Sequence, residues 1–261
     1  MQDRQYLKRI QSKDQRRART AFIFGLILLW IFTASGCAWW DRLWGSGEDR
    51  VKTPDSLYSR GKEYYDKKDY DKAIEAFRRV KEEYPLSQVA IMAELGIADS
   101  YFSDEKFIDA QVFYNEFIEL HPINPNVPYA MYQVGMCHYN QVETIDRDQT
   151  ETVKARAAFE RLITRFPNSK FSFLAEKKLR ECKERQAEHE FYVGHFYFKT
   201  KKYYAAVRRF EGIVKNYPNL GLDYKVNYFL AESKKLWEKE KLEKKGPEKE
   251  DVGGIIRTPV E

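Results

Sequence analysis

The chain is poor in the residues that build stapled or metal-bound folds: it has three cysteines and four histidines in 261 residues. Three cysteines cannot lay down a disulfide framework. No two of His121, His138, His189 and His195 stand four apart, and His189 and His195, six apart, fall on different helix faces, so no helical metal pair is offered. A glycine-rich phosphate loop, a G-x-S-x-G turn and a nucleophile–base set are all missing, which leaves no motif for an enzyme. Only one long uncharged apolar run occurs, at 21–34, and it is shorter than the roughly 20 residues that span a bilayer. The positive charge is also local. Of 45 basic and 40 acidic residues, seven and two fall in 1–36, leaving 38 of each from Cys37 onward. A body without net charge lacks the basic surplus that phosphate backbones require, which argues against nucleic-acid partners. The 43% apolar content excludes disorder of the whole chain.

What is present begins with an address. Arg4, Lys8, Arg9, Lys13, Arg16, Arg17 and Arg19 precede the apolar run, as in a secretory signal. Ala34-Ser35-Gly36-Cys37 then resembles the bacterial lipobox, in which the cysteine thiol is acylated and the chain is cut before it. The position three before the cysteine is more often Leu than the Ala34 found here. An uncleaved signal anchor and an ordinary signal peptide are the alternatives. The resemblance implies lipidation at Cys37 and removal of residues 1–36. Several acyl chains hold a protein to a membrane far more firmly than one, at about 0.8 kcal/mol per buried CH₂. Ala38, where Asp would signal inner-membrane retention in enteric bacteria, implies the outer membrane and its periplasmic face. Trp39, Trp40 and Trp44 suit headgroup depth.

After a Gly/Ser/Pro-containing linker the chain repeats itself. An alanine, an aromatic four residues on and a proline eight later recur as Ala73, Phe77, Pro85; Ala110, Tyr114, Pro122; Ala155, Phe159, Pro167; and Ala206, Phe210, Pro218. Each proline follows a ring: Tyr84, His121, Phe166 or Tyr217. Twelve residues before three of the alanines stand Gly61, Ala98 and Gly194, each followed three later by Tyr64, Tyr101 or Tyr197. Small residues let two helices approach, large rings fill the space beside them, and proline ends the second helix. This is the tetratricopeptide pattern of paired helices. The spacing predicts an all-α superhelix of about nine helices in roughly five repeats, the last incomplete.

The repeats are not uniform. Gly135 fits the small position of the third repeat, with His138 in the aromatic place, but Ala155 comes 20 residues later. The extra residues form a polar stretch, Asn140 to Thr152, which reads as a loop. Between Pro167 and Gly194 the added residues are helix formers without Pro or Gly, so one long helix is expected over about 170–200. A last helix, about 220–244, should cap the array. The resulting layout is a signal segment at 1–36, a lipidated N-terminus and linker at 37–54, repeats one to three at 55–168, repeats four and five at 169–245, and a disordered tail at 246–261. Cys137 and Cys182 fall at equivalent places on neighbouring first helices. Helix axes 8–10 Å apart exceed the roughly 7 Å that a disulfide bridges, so buried free thiols and a disulfide both stay open.

With these features together, the chain resembles the BamD family, lipoproteins of the bacterial outer-membrane barrel assembly machine. The resemblance covers about 50–240. It is carried by Asn-Pro-Asn-Val-Pro-Tyr-Ala-Met-Tyr from Asn124 to Tyr132, by Asp146-Arg-Asp148 before Ala155-Arg-Ala-Ala-Phe159, by Phe166 to Ser169, and by Val193 through Gly212 after the long helix. It implies a non-catalytic component without cofactor that binds a BamA-like barrel insertase and other assembly lipoproteins and receives unfolded outer-membrane proteins. With the long helix, it suggests that the C-terminal half docks on the insertase around Lys199, Lys201, Lys202, Tyr203 and Tyr204. The basic turn there departs from the family.

In a tetratricopeptide array the first helix of each pair lines the concave face. Register places Tyr58, Tyr65, Phe102, Tyr129, Tyr132 and Tyr139 on it, along with Asp55, Lys62, Met92, Leu95, Asp99 and Met136. Such a groove suits an extended, aromatic-rich peptide such as the C-terminal strand of an outer-membrane protein. The plainer alternative is that the rings pack between repeats. A different function remains open for the same features: a cell-envelope adaptor acting with peptidoglycan or division proteins.

Overall fold

A computed structural model describes residues 53–245. The signal segment, Cys37, the tryptophans beside it, most of the linker and the tail at 246–261 lie outside the described residues, and so do the expectations attached to them. Nine α-helices follow one another among the described residues, with no strand: α1 (Pro54–Asp66), α2 (Tyr70–Glu83), α3 (Gln88–Ser103), α4 (Phe107–Leu120), α5 (Val127–Tyr139), α6 (Thr150–Arg165), α7 (Lys170–Lys199), α8 (Tyr203–Asn216) and α9 (Asp223–Lys245). Each packs against the next, and α1 and α5 also touch the first helix of the following pair. This is the expected tetratricopeptide array, four helix pairs closed by an unpaired α9. No helix of the described residues is long and apolar enough to cross a membrane.

The repeating residues do the work their spacing implied. Ala73, Ala110, Ala155 and Ala206 are fully buried, and so, within 2%, are Phe77, Tyr114, Phe159 and Phe210. Three of these rings lie on a glycine of the partner helix. A Cβ on Gly61 would stand 2.6 Å from Phe77 and one on Gly194 2.8 Å from Phe210, while Gly135 meets Phe159 still more closely. A Cβ on Gly96, in the first helix of the next pair, would likewise stand 2.8 Å from Phe77. One ring is thus clamped between two glycines from successive repeats.

The turns repeat as well. Tyr84, His121, Phe166 and Tyr217 each close a second helix with φ between −137° and −126°, out of the helical region as the following proline demands. Inside the pairs, Lys68, Glu105 and Lys201 adopt φ of 61°, 59° and 59°. The backbone N–H of the next residue then reaches back to the carbonyl of Tyr64, Tyr101 or Tyr197. The third pair lacks this turn because its insertion takes its place. There α6 starts at Thr150, two residues before the expected end of the loop, because Asp148 Oδ1 accepts from Thr150 N at 2.7 Å.

The long helix α7 closely matches its expected span and has 30 residues. Ser169 caps it by accepting from Phe171 N. Its first half gives Ala175 and Cys182 to a central core, and its second half gives Ala187 and Phe191 to a C-terminal core. Buried Gln186 stands between them, its Oε1 accepting from Arg156 at 2.8 Å and from Tyr217 at 3.4 Å. The inserted loop is tied to the same helix: Arg185 donates to the Glu143 carbonyl at 2.7 Å, and His189 Nδ1 to that of Ile145 at 2.6 Å. Cys137 and Cys182 are both free and buried. Burial pushes their thiols up to about 12 and about 11.

Candidate functional site

Two surfaces gather the residues singled out by the sequence. On the first helices, the six expected rings are all half-buried. Tyr65 and Phe102 serve the turns beside them. Tyr65 meets Tyr70 edge-on at 5.6 Å and its hydroxyl bonds Ser103 at 2.7 Å, while Phe102 meets Phe107 at 5.4 Å. Phe198 meets Tyr203 in the same way at 6.1 Å, so this contact belongs to the repeat.

The other four rings lie deeper along the face. Tyr58 packs on Phe77 at 5.4 Å. Tyr129 and Tyr132 share Phe171 of α7, at 5.4 and 6.1 Å, and Tyr132 also touches Phe159 at 5.9 Å. Tyr139 donates to Glu181 at 2.6 Å and carries the Lys178 ammonium over its ring at 4.1 Å. The bond to Glu181, then burial, raises the Tyr139 phenol above its ordinary range, and burial does the same for Tyr132. Side chains of α7 thus hold three of these rings.

The centre of the face is a residue to which the sequence gave no role. Asp99 Oδ1 accepts from the hydroxyls of Tyr114 at 2.5 Å and Tyr129 at 2.7 Å, and Gln133 donates to Tyr129 at 3.0 Å. Burial raises the Asp99 carboxyl despite those two bonds, which act to lower it. Burial first, and the Asp99 charge second, raise the phenols of Tyr58, Tyr114 and Tyr129. The signal for this cluster was the register position of Asp99; its partners stand 15 and 30 residues away.

The second surface lies where α8 begins and α9 ends. Lys201, Lys202, Tyr203 and Tyr204 line a groove of about 470 Å³ with Ala205, Trp237, Glu240, Lys241 and Lys244. Lys199 is exposed in the last turn of α7 and is not part of the lining. Tyr204 lies 4.9 Å from Trp237, and the Lys241 ammonium sits 3.4 Å from the indole centre. Four lysines against one carboxylate make the groove basic; Glu240 bonds Lys244 at 2.6 Å. Sequence reasoning read α9 only as a cap and so missed Trp237, Lys241 and Lys244.

The histidines have structural surroundings. His121 bonds Glu94 at 2.7 Å, His138 bridges Gln111 and Glu151 at 2.9 and 2.7 Å, and His195 lies between the rings of Phe191 and Phe229. Among the described residues no group of three or more His, Cys, Asp or Glu side chains could hold a metal ion.

Known proteins complete the picture. Residues 50–245 match the YfiO family, described as outer membrane lipoprotein. The outer membrane protein assembly factor BamD of Rickettsia prowazekii is 34% identical over 178 residues, covering 68% of this chain and 71% of that protein. The BamD of Caulobacter vibrioides is 28% identical over 161 residues, covering 62% and 53%, and that of Neisseria meningitidis serogroup B 27% over 175 residues, covering 63% and 66%. Among solved structures, the TPR2AB domain of yeast Sti1 in its pHSP90 complex aligns with a TM-score of 0.42 at 16% identity, over 70% of each chain. The relatives are named for outer membrane protein assembly, which associates the chain with the outer membrane. With three quarters of its length matched, the chain belongs to the outer membrane lipoprotein family that includes the BamD assembly factors.

Proposed function

We propose that this protein is a lipid-anchored periplasmic component of the outer-membrane β-barrel assembly machinery, held by Cys37, that scaffolds a BamA-like insertase and receives unfolded outer-membrane proteins. The observation that carries the reading is the family match over 50–245, which spans both surfaces. The two surfaces are chemically unlike, which supports a division of labour. The basic groove at Lys201–Tyr204 docks the insertase, with other assembly lipoproteins bound alongside. The concave face holds an extended polypeptide. A strand presents alternate side chains to one face, and each ring it stacks on those tyrosines adds about 0.5–1.5 kcal/mol beyond area burial. After ordering costs only weak, reversible affinity is left, which suits a receptor that releases its cargo.

The docking arm is tested by charge reversal. Cutting the chain near Pro167 would remove Phe171, Ala175 and Cys182 from the central core, so a truncation confounds docking with folding. Lys201→Glu with Lys202→Glu avoids this, since Glu105 already adopts the same left-handed backbone as Lys201 in the equivalent turn. The expected result is loss of co-purifying insertase in mild detergent with an unchanged melting temperature. Full capture by the folded double variant, or capture of division proteins instead, would overturn the reading.

A further inference from the structure

Several half-buried carboxylates of this fold are paired with cations. Glu94 has Lys81 at 3.5 Å, Glu151 has Lys154 at 2.8 Å, Glu181 has Lys178 at 2.8 Å and Glu190 has Arg209 at 2.8 Å. Asp99 differs. It makes no ion pair with a lysine, arginine or histidine among the described residues, and its hydrogen-bond partners there are two tyrosine hydroxyls. Its hydrogen bonds are also lopsided: both tyrosine hydroxyls donate to Oδ1, and Oδ2 receives no bond among the described residues. Since no buried side-chain oxygen is left without a partner, Oδ2 keeps at least a small contact with solvent. The groups around Asp99 define the side from which it is reached. Tyr58 of α1 and Tyr129 of α5 belong to the first helices that line the concave face, while Tyr114 of α4 holds it from behind.

A largely buried carboxyl without a counter-charge is pushed toward its neutral form, and a cation arriving beside it favours the ionised form and completes the pair. Two phenol donors fix its rotamer and solvate one oxygen, leaving the other aimed at whatever occupies the face. Tyrosine faces beside it attract a cation in their own right. We propose that Asp99, flanked by Tyr58 and Tyr129, is a cation-recognition point in the concave groove that takes a basic side chain, arginine foremost, from an extended polypeptide. This rests on the groove being the polypeptide site and deepens it. Arginine is favoured over lysine because its planar guanidinium stacks on a ring while one N–H reaches Oδ2. The groove then selects segments in which a basic residue is spaced among apolar ones, where the rings alone would accept any aromatic-rich strand.

The test uses short synthetic peptides of alternating aromatic and polar residues ending in Phe. A single Arg is moved along the polar positions, and each peptide is paired with a twin carrying neutral citrulline there. Binding to the full protein is read by fluorescence anisotropy. At one position the Arg peptide should bind about tenfold tighter than its twin, the size of a charge-assisted hydrogen bond. Asp99→Asn, whose amide oxygen still accepts from the tyrosines, should bind both at the twin's affinity. A purely structural Asp99 would instead weaken both peptides alike. If the wild type binds the peptides but no Arg position outperforms its twin, the cation point is wrong and the groove stands. If the wild type binds none of them, the groove reading falls and this inference with it. Should Asp99→Asn fail to fold, the wild-type comparison of twins decides alone.

Discussion

Adding one methyl group to different helical glycines should move stability in opposite directions. Replacing glycine by alanine inside a helix gains about 0.5–1 kcal/mol from lost backbone freedom in the unfolded chain. At Gly212 of α8 an added Cβ meets nothing within 4 Å, so that gain stands undiminished. Gly212→Ala should raise the melting temperature by about 1–4 °C for a domain of this size. At Gly61 the same Cβ would lie 2.6 Å from Phe77, and on its far side the ring already fills the space where a Cβ of Gly96 would stand, which limits its retreat. Overpacking of this kind costs about 1–3 kcal/mol. The net for Gly61→Ala then lies between about zero and a loss of about 2.5 kcal/mol, midway about 1 kcal/mol, or roughly 2–4 °C. Phe77→Leu should hurt the wild type but hurt Gly61→Ala much less, giving a coupling of about 1 kcal/mol. Thermal and urea unfolding followed by circular dichroism read all four values. If Gly61→Ala stabilises as much as Gly212→Ala, or the two changes at Gly61 and Phe77 simply add, the clamp is not what determines stability there.

The other expectations are shorter. Cys37→Ala should abolish acyl-chain labelling and leave precursor or soluble periplasmic protein; labelling that persists would place the anchor elsewhere. In that variant the two remaining thiols, raised by burial to about 12 and about 11, should resist a thiol reagent at mildly alkaline pH until the protein is unfolded. Rapid labelling of the folded protein would mean the central core opens readily. Tyr65→Ala with Tyr132→Ala should weaken crosslinking to an outer-membrane-protein C-terminal peptide. Because Tyr132 packs on Phe159 and Phe171, a Tyr65→Ala, Tyr132→Phe variant that keeps this packing must be measured beside it. Equal crosslinking by the wild type and the folded double-alanine variant would leave the rings as packing residues only.

The architecture was legible because its signals are local. Ala73 and Phe77 are one helical turn apart, and the turn-closing Tyr84 and Pro85 follow directly after the same helix, so spacing alone exposes the repeat. The second glycine against Phe77 was not legible: Gly96 sits two residues before the small position Ala98 and acts across a repeat boundary. The same limit explains Asp99. Helical register put it on the concave face, but its role depends on Tyr114 and Tyr129 arriving from two other helices. His138 was read as a stand-in for an aromatic ring, whereas it is a buried bridge between Gln111 and Glu151, made by the insertion that lengthens the third repeat. The basic groove was half legible. Its turn stood out by composition, but Trp237 and Lys241 come from a helix whose amphipathic pattern reveals only what it buries.

In an ordinary solenoid each repeat meets only its neighbours, and a disturbance at one end fades along the stack. The 30-residue α7 changes that arithmetic, since it is a single rod of about 45 Å. Its near end carries Phe171, Lys178 and Glu181, the side chains that hold Tyr129, Tyr132 and Tyr139 in place. Its far end runs straight into the turn whose lysines and tyrosines line the basic groove. The rod therefore works as a tie bar: one continuous ladder of backbone hydrogen bonds runs from the aromatic face to the turn at 200–202, the single short loop between that face and the groove.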